Sequence, residues 1–84
     1  MKLTAELSLY PLNEDYIPVI RGFIDRLNEH SGFEIVTNAM STQICGDYDL
    51  VFAVVKQELK RSFDEHGKQI LVCKFIPGEL AITQ

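Results

Sequence analysis

The chain opens on strict alternation. From Lys2 to Tyr10, Leu3, Ala5, Leu7 and Leu9 fall on one parity, and Thr4, Glu6, Ser8 and Tyr10 on the other. A period of two puts these sets on opposite faces of a strand, one toward a core and one toward water. Pro11 has no backbone donor and is expected to end this strand. Asn13 then reads as a helix N-cap, with Glu14 and Asp15 suited to the positive end of the dipole. Apolar residues follow at Ile17, Ile20, Phe23, Ile24 and Leu27, the spacing of one helical face. Pro18 costs little if the first turn spans residues 14–17, and Gly32 is the expected stop.

Alternation returns from Phe33 to Asn38, which predicts a second strand. Ala39-Met40 is the expected turn, and Ser41 to Cys45 a short third strand. Gly46-Asp47 should break it, with Asp47 capping a second helix. The buried stripe of that helix is expected at Tyr48, Val51, Phe52, Val55, Leu59 and Phe63. Lys56, Glu58, Lys60, Arg61 and Glu65 would form its solvated face, and Gly67 its end. Gln69 to Ile76 is the last strand, closed by Pro77-Gly78. The domain is expected over residues 1–78. Residues 79–84 form a weakly apolar tail that either adds an edge strand or stays mobile.

The order is βαββαβ. Two right-handed crossovers then give an α+β, ferredoxin-like fold, a four-stranded antiparallel sheet with two helices on one face. Its usual strand order, 4-1-3-2, sets Cys45 and Cys73 on strands flanking the first, roughly 10 Å apart. That is beyond disulfide reach, so both read as packing residues. The last strand carries apolar residues on both faces (Ile70 and Val72 against Leu71, Cys73 and Phe75), and Val36 adds to the open side. A sheet face left to water should be polar. A second subunit on that face, as a dimer or tetramer, is the first expectation, and cover from the tail the alternative.

Composition narrows the function classes. The 84 residues suit one domain, 46% hydrophobic and 24% charged, with a net charge of -4. That charge disfavours nucleic acid, which asks for a basic footprint, and anionic membrane surfaces equally. The N-terminus lacks a signal-peptide core, and the longest apolar run, Leu50 to Val55, is too short to span a membrane. The expectation is a cytoplasmic protein without membrane insertion.

Little in the sequence asks for catalysis. His30 and His66 sit near helix C-termini, where surface caps explain them. Ser41 has no G-x-S-x-G surround, and single glycines make no phosphate loop. The loop after the first strand is acidic and without arginine, unlike an acylphosphatase. The third strand has no aromatic to stack bases, and no cysteine pair occupies the first loop as in metal chaperones. No catalytic residue, metal or cofactor is therefore expected. What remains is a hydrogen-bonding set: Ser8 and Tyr10, Asn38, and Ser41, Thr42 and Gln43. Strand order draws these together, and amides offer the paired donor and acceptor that an aminopyrimidine edge needs. Tyr10 could stack on it, with Glu6 and Asp47 as the nearest acids for a cation. Composition alone favours the plainer reading, in which these residues are only the wet face of a sheet and a polar hairpin.

Ser8-Leu9-Tyr10-Pro11-Leu12, then Thr37-Asn38-Ala39-Met40-Ser41-Thr42-Gln43 and Gly46-Asp47-Tyr48, resemble the YkoF-type family over roughly residues 5–76. The seven-residue central block is the specific part. The resemblance implies a ferredoxin-like domain that binds thiamine or its hydroxymethylpyrimidine moiety without transforming it, in uptake or salvage. It also implies assembly, here of single domains. On the matching motif, ligand contact is expected from Asn38, Ser41, Thr42 and Gln43, supported by Ser8 and Tyr10. Parity sets Ser41 and Gln43 on one face and Thr42 on the other, so one ligand meets all of them only at a bulge or at the hairpin end. The rival reading is an oligomerising regulatory module in which the polar block makes subunit contacts.

Overall fold

The computed structural model describes residues 1–79, so all of the expected tail but Glu79 lies outside the described residues. The elements are β1 (Lys2–Pro11), α1 (Tyr16–Asn28), β2 (Glu34–Thr37), β3 (Thr42–Asp47), α2 (Tyr48–His66) and β4 (Gln69–Pro77). The strands form one antiparallel sheet in the order β2-β3-β1-β4, as the ferredoxin-like reading requires. β1 is central. Its Glu6 stands opposite Gln43 and Lys74, and its Leu7 opposite Thr42 and Cys73. Residues directly opposite share a face, so Leu3, Ala5, Leu7 and Leu9 lie on the helix side with Ile44. With Val19, Phe23 and Leu27 of α1 and Val51, Val54 and Val55 of α2 they make the core. Each large apolar side chain buried there contributes roughly 1.5–3 kcal/mol.

Pro11 does end β1, as expected, itself taking the last ladder position opposite Gln69. β1 pairs with β3 only as far as Leu7, so a proline at residue 11 blocks no bond on that side. Other boundaries differ from expectation. Gly46 continues β3 opposite Leu3 rather than breaking it. A Cβ there would lie 2.7 Å from the Phe33 ring, so the strand needs a glycine for close approach, not for a turn. Asn13 does not cap α1. Its Oδ1 accepts from the Asp15 backbone N–H at 2.9 Å, and Asp15 takes the N-cap position without a side-chain cap bond. Pro18 is then the third helical residue, where no donor is needed.

Both helical stripes are rotated from the expected ones. α1 buries Val19, Phe23 and Leu27, whereas Ile17 is 56% exposed. α2 buries Val51, Val54, Val55, Glu58 and Ser62, leaving Tyr48, Phe52 and Phe63 exposed. Phe52 instead joins a flanking aromatic row, 5.0 Å from Tyr48 and 4.6 Å from Phe75 between centroids. Asp47 does cap α2, accepting from the Leu50 N–H at 3.3 Å. The largest departure is Glu58, which is only 1% exposed. It accepts from Arg26 Nε at 3.1 Å and lies 2.7 Å from His30 Nε2, with Arg61 Nη1 at 3.5 Å. A buried carboxylate needs such partners. His30 is accordingly a half-buried tie between helices, not a surface cap.

Candidate functional site

Unequal strand lengths open the site. β1 continues along β4 to the Pro11–Gln69 pair, but β3 leaves it at Leu7–Thr42. Among the described residues the β3-facing edge of residues 8–11 therefore has no strand beside it. The β2–β3 turn closes one side of this gap and the first half of α1 roofs it. The result is a cavity of about 390 Å³, within the range that takes small organic ligands.

Its floor is Leu7 to Pro11 of β1. Tyr16, Ile20, Phe23 and Ile24 come down from α1, a set at i, i+4, i+7 and i+8 that presents one helical face. The far wall is Thr37 to Thr42. There the Asn38 carbonyl Oδ1 accepts from the Met40 and Ser41 N–H groups at 2.8 and 3.1 Å, and the Asn38 N–H donates to the Ser41 carbonyl at 3.0 Å. Asn38 thus builds the turn with its oxygen, an Asx-type arrangement. Thr37 and Thr42 hydroxyls bond each other at 3.0 Å on the helix side. No lining side chain carries a formal charge.

Of the six residues expected from sequence, five line this cavity: Ser8, Tyr10, Asn38, Ser41 and Thr42. Gln43 does not. It stands opposite Glu6 and Val36 on the open face, where the strand parity sends it. Ser41 and Ser8 also reach that face, Ser41 Oγ donating to Glu6 Oε2 at 3.1 Å and Ser8 Oγ to the Met40 carbonyl at 3.4 Å. The cavity itself is on the helix side, at the hairpin end, not on the wet face of the sheet. Glu6 pairs with Lys74 at 3.6 Å and Asp47 caps α2 at the opposite end of β3, so neither acid lines it. Tyr16, Ile20, Phe23, Ile24 and Thr37 were not anticipated. Tyr16, an aromatic at the start of the helix outside the expected apolar stripe, was the signal the sequence held.

Both cysteines are free, Cys45 opposite Thr4 and Cys73 opposite Leu7, on opposite faces of the sheet. Burial pushes the Cys73 thiol up, away from the thiolate. Among the described residues no group of three or more His, Cys, Asp or Glu could hold a metal ion. No helix there is long and apolar enough to cross a membrane.

Three solved structures share this architecture. A Streptococcus pneumoniae protein matches with a TM-score of 0.86 at 24% identity, over 95% of this chain and 90% of its own. A Thermotoga maritima protein provisionally assigned to thiamine biosynthesis or salvage matches at 0.80 and 18% identity, over 89% and 82%. A hypothetical Methanocaldococcus jannascii protein matches at 0.80 and 20%, over 99% and 87%. At these identities the likeness establishes the fold alone. No curated protein sequence matches the chain. The model of the YKOF-related family, however, matches residues 2–76, from the start of β1 almost to the end of β4, and the chain belongs to that family.

Proposed function

We propose that the cavity binds thiamine or its hydroxymethylpyrimidine moiety without transforming it, in the service of uptake or salvage. One observation carries the reading: in a member of this family, an uncharged cavity sized for a small heterocycle is bounded by two tyrosines and a turn of hydroxyls and an amide. Tyrosine offers a stacking face, and the Asn38 amide nitrogen stays available as a donor because its oxygen is spent on the turn. No catalytic role is assigned to any residue.

Calorimetric titration with thiamine, the free pyrimidine and the thiazole tests this. Binding of the pyrimidine is expected, and absence of binding to all three at millimolar ligand would overturn the reading. Asn38→Asp sharpens it. That variant keeps an oxygen for the turn but exchanges the amide donor for a charged carboxylate, so affinity for the neutral pyrimidine should fall by roughly 1–3 kcal/mol.

A second reading is favoured by the open face, where Ile70, Val72 and Ile76 are about half exposed. We propose that a second copy of this chain covers it. The face carries both Glu6 and Lys74, so a two-fold apposition can set acid against base. A Val72→Lys protein that still sedimented as a dimer would exclude this surface.

A further inference from the structure

Resting on that reading of the cavity, we infer that the site takes the unphosphorylated pyrimidine alcohol and turns away its phosphate monoester. A phosphate monoester carries about -1.5 to -2 charges at neutral pH. In the hydroxymethylpyrimidine the ester oxygen sits one carbon from the ring, so a phosphate enters the cavity with the ring or stands at its mouth. Inside, no lysine, arginine or histidine is present among the lining residues. A charge placed there would lose water without gaining a counter-ion, and burial of an unpaired charge is strongly unfavourable.

The mouth offers no better place. Between the lining residues Pro11 and Tyr16 runs Leu12-Asn13-Glu14-Asp15. Glu14 and Asp15 are exposed, and neither has an ion-pair partner among the described residues. The Asn13 Oδ1 bond to the Asp15 N–H holds this loop against the start of α1, while the Asp15 side chain makes no cap bond. The helix N-terminus beneath them presents the equivalent of about half a positive charge. Two full negative charges stand against that half charge, so Glu14 and Asp15 oppose a phosphate at the entrance. Of the cations, Lys68 adjoins the loop, its carbonyl accepting from the Leu12 N–H at 3.1 Å, and Arg21 follows in α1; both are exposed and outside the lining. The same two acids tolerate a neutral or cationic ligand. Discrimination therefore has two parts, an interior that cannot neutralise a phosphate and an entrance that opposes it.

Titration of the intact chain with 4-amino-5-hydroxymethyl-2-methylpyrimidine and with its phosphate monoester tests both parts. The alcohol is expected to bind at least ~10-fold more tightly than the monoester, the ratio that follows from one unfavourable ionic contact. Glu14→Gln combined with Asp15→Asn keeps the shape of the loop and should narrow that ratio, and added salt should narrow it in the native chain but not in the variant. Equal or tighter binding of the monoester would overturn the inference and leave the proposed function standing. Failure of both ligands to bind would overturn the two together. A ratio unchanged in the double variant would overturn the part assigned to Glu14 and Asp15.

Discussion

The C-terminal half of α1 is held by charge as well as by packing. Leu27 is fully buried, and Arg26 and the following His30 both reach the buried Glu58 of α2. The N-terminal half is packed through Val19 but has no ion pair to α2 among the described residues. Asp15 gives it no side-chain cap, Ile17 faces water, and Tyr16, Ile20 and Ile24 hang over the cavity. One helix is thus clamped by charge at its C-terminal end and shared between core and cavity over the rest. The clamp is not a simple stabiliser. Arg26 Nη2 is buried with no hydrogen-bond partner among the described residues, and an unmade bond of that kind costs roughly 1–3 kcal/mol. The cluster ties the two helices at one point, because a carboxylate as deep as Glu58 must be met by its partners.

The contrast can be broken most severely at Glu58. Glu58→Ala leaves Arg26 and His30 without their carboxylate and should cost roughly 3–5 kcal/mol in urea denaturation. A loss below about 1 kcal/mol would mean that apolar packing alone holds the helices together. Leu27→Ala should cost roughly 2–5 kcal/mol, as in any filled core. Ile20→Ala, beside space that is already open, should fall below that range in the same measurement, and equal losses would erase the distinction between the halves. The smallest effect is expected at Gly22. Alanine there gains roughly 0.5–1 kcal/mol of helix propensity, but its Cβ would meet Arg26 Nη1 at 3.3 Å. Thermal melts should therefore move by no more than a few degrees in either direction, and a clear gain would show that the guanidinium can shift without loss.

How much of this was legible in the sequence depends on the range of the interactions. The alternation of residues 2–10 placed β1, since a strand's faces are written in its own parity, whereas β4 was bounded by Gly67 and Pro77-Gly78. Glu58 was not legible. Flanked by Lys56 and Lys60 it reads as solvated, and the partners that bring it inside lie 28 and 32 residues away in the chain. The site was half legible. The polar block from Thr37 to Thr42 marked the hairpin, and five of six expected residues line the cavity. Its side of the sheet was hidden, because that follows from β3 stopping at Leu7 while β4 runs on to Pro11. Lengths of strand pairing are set between elements, and no single segment states them.

β4 has a consequence away from the ligand. Among the described residues it is an edge strand, and Gln69-Ile70-Leu71-Val72-Cys73-Lys74-Phe75-Ile76 contains no glycine or proline and a single charge. Segments of that composition template cross-β stacking when a chain is partly unfolded. Lys74 is the one residue that interrupts it, a gatekeeper whose removal would hardly register in folding free energy yet would govern whether the newly made chain stays dispersed or precipitates.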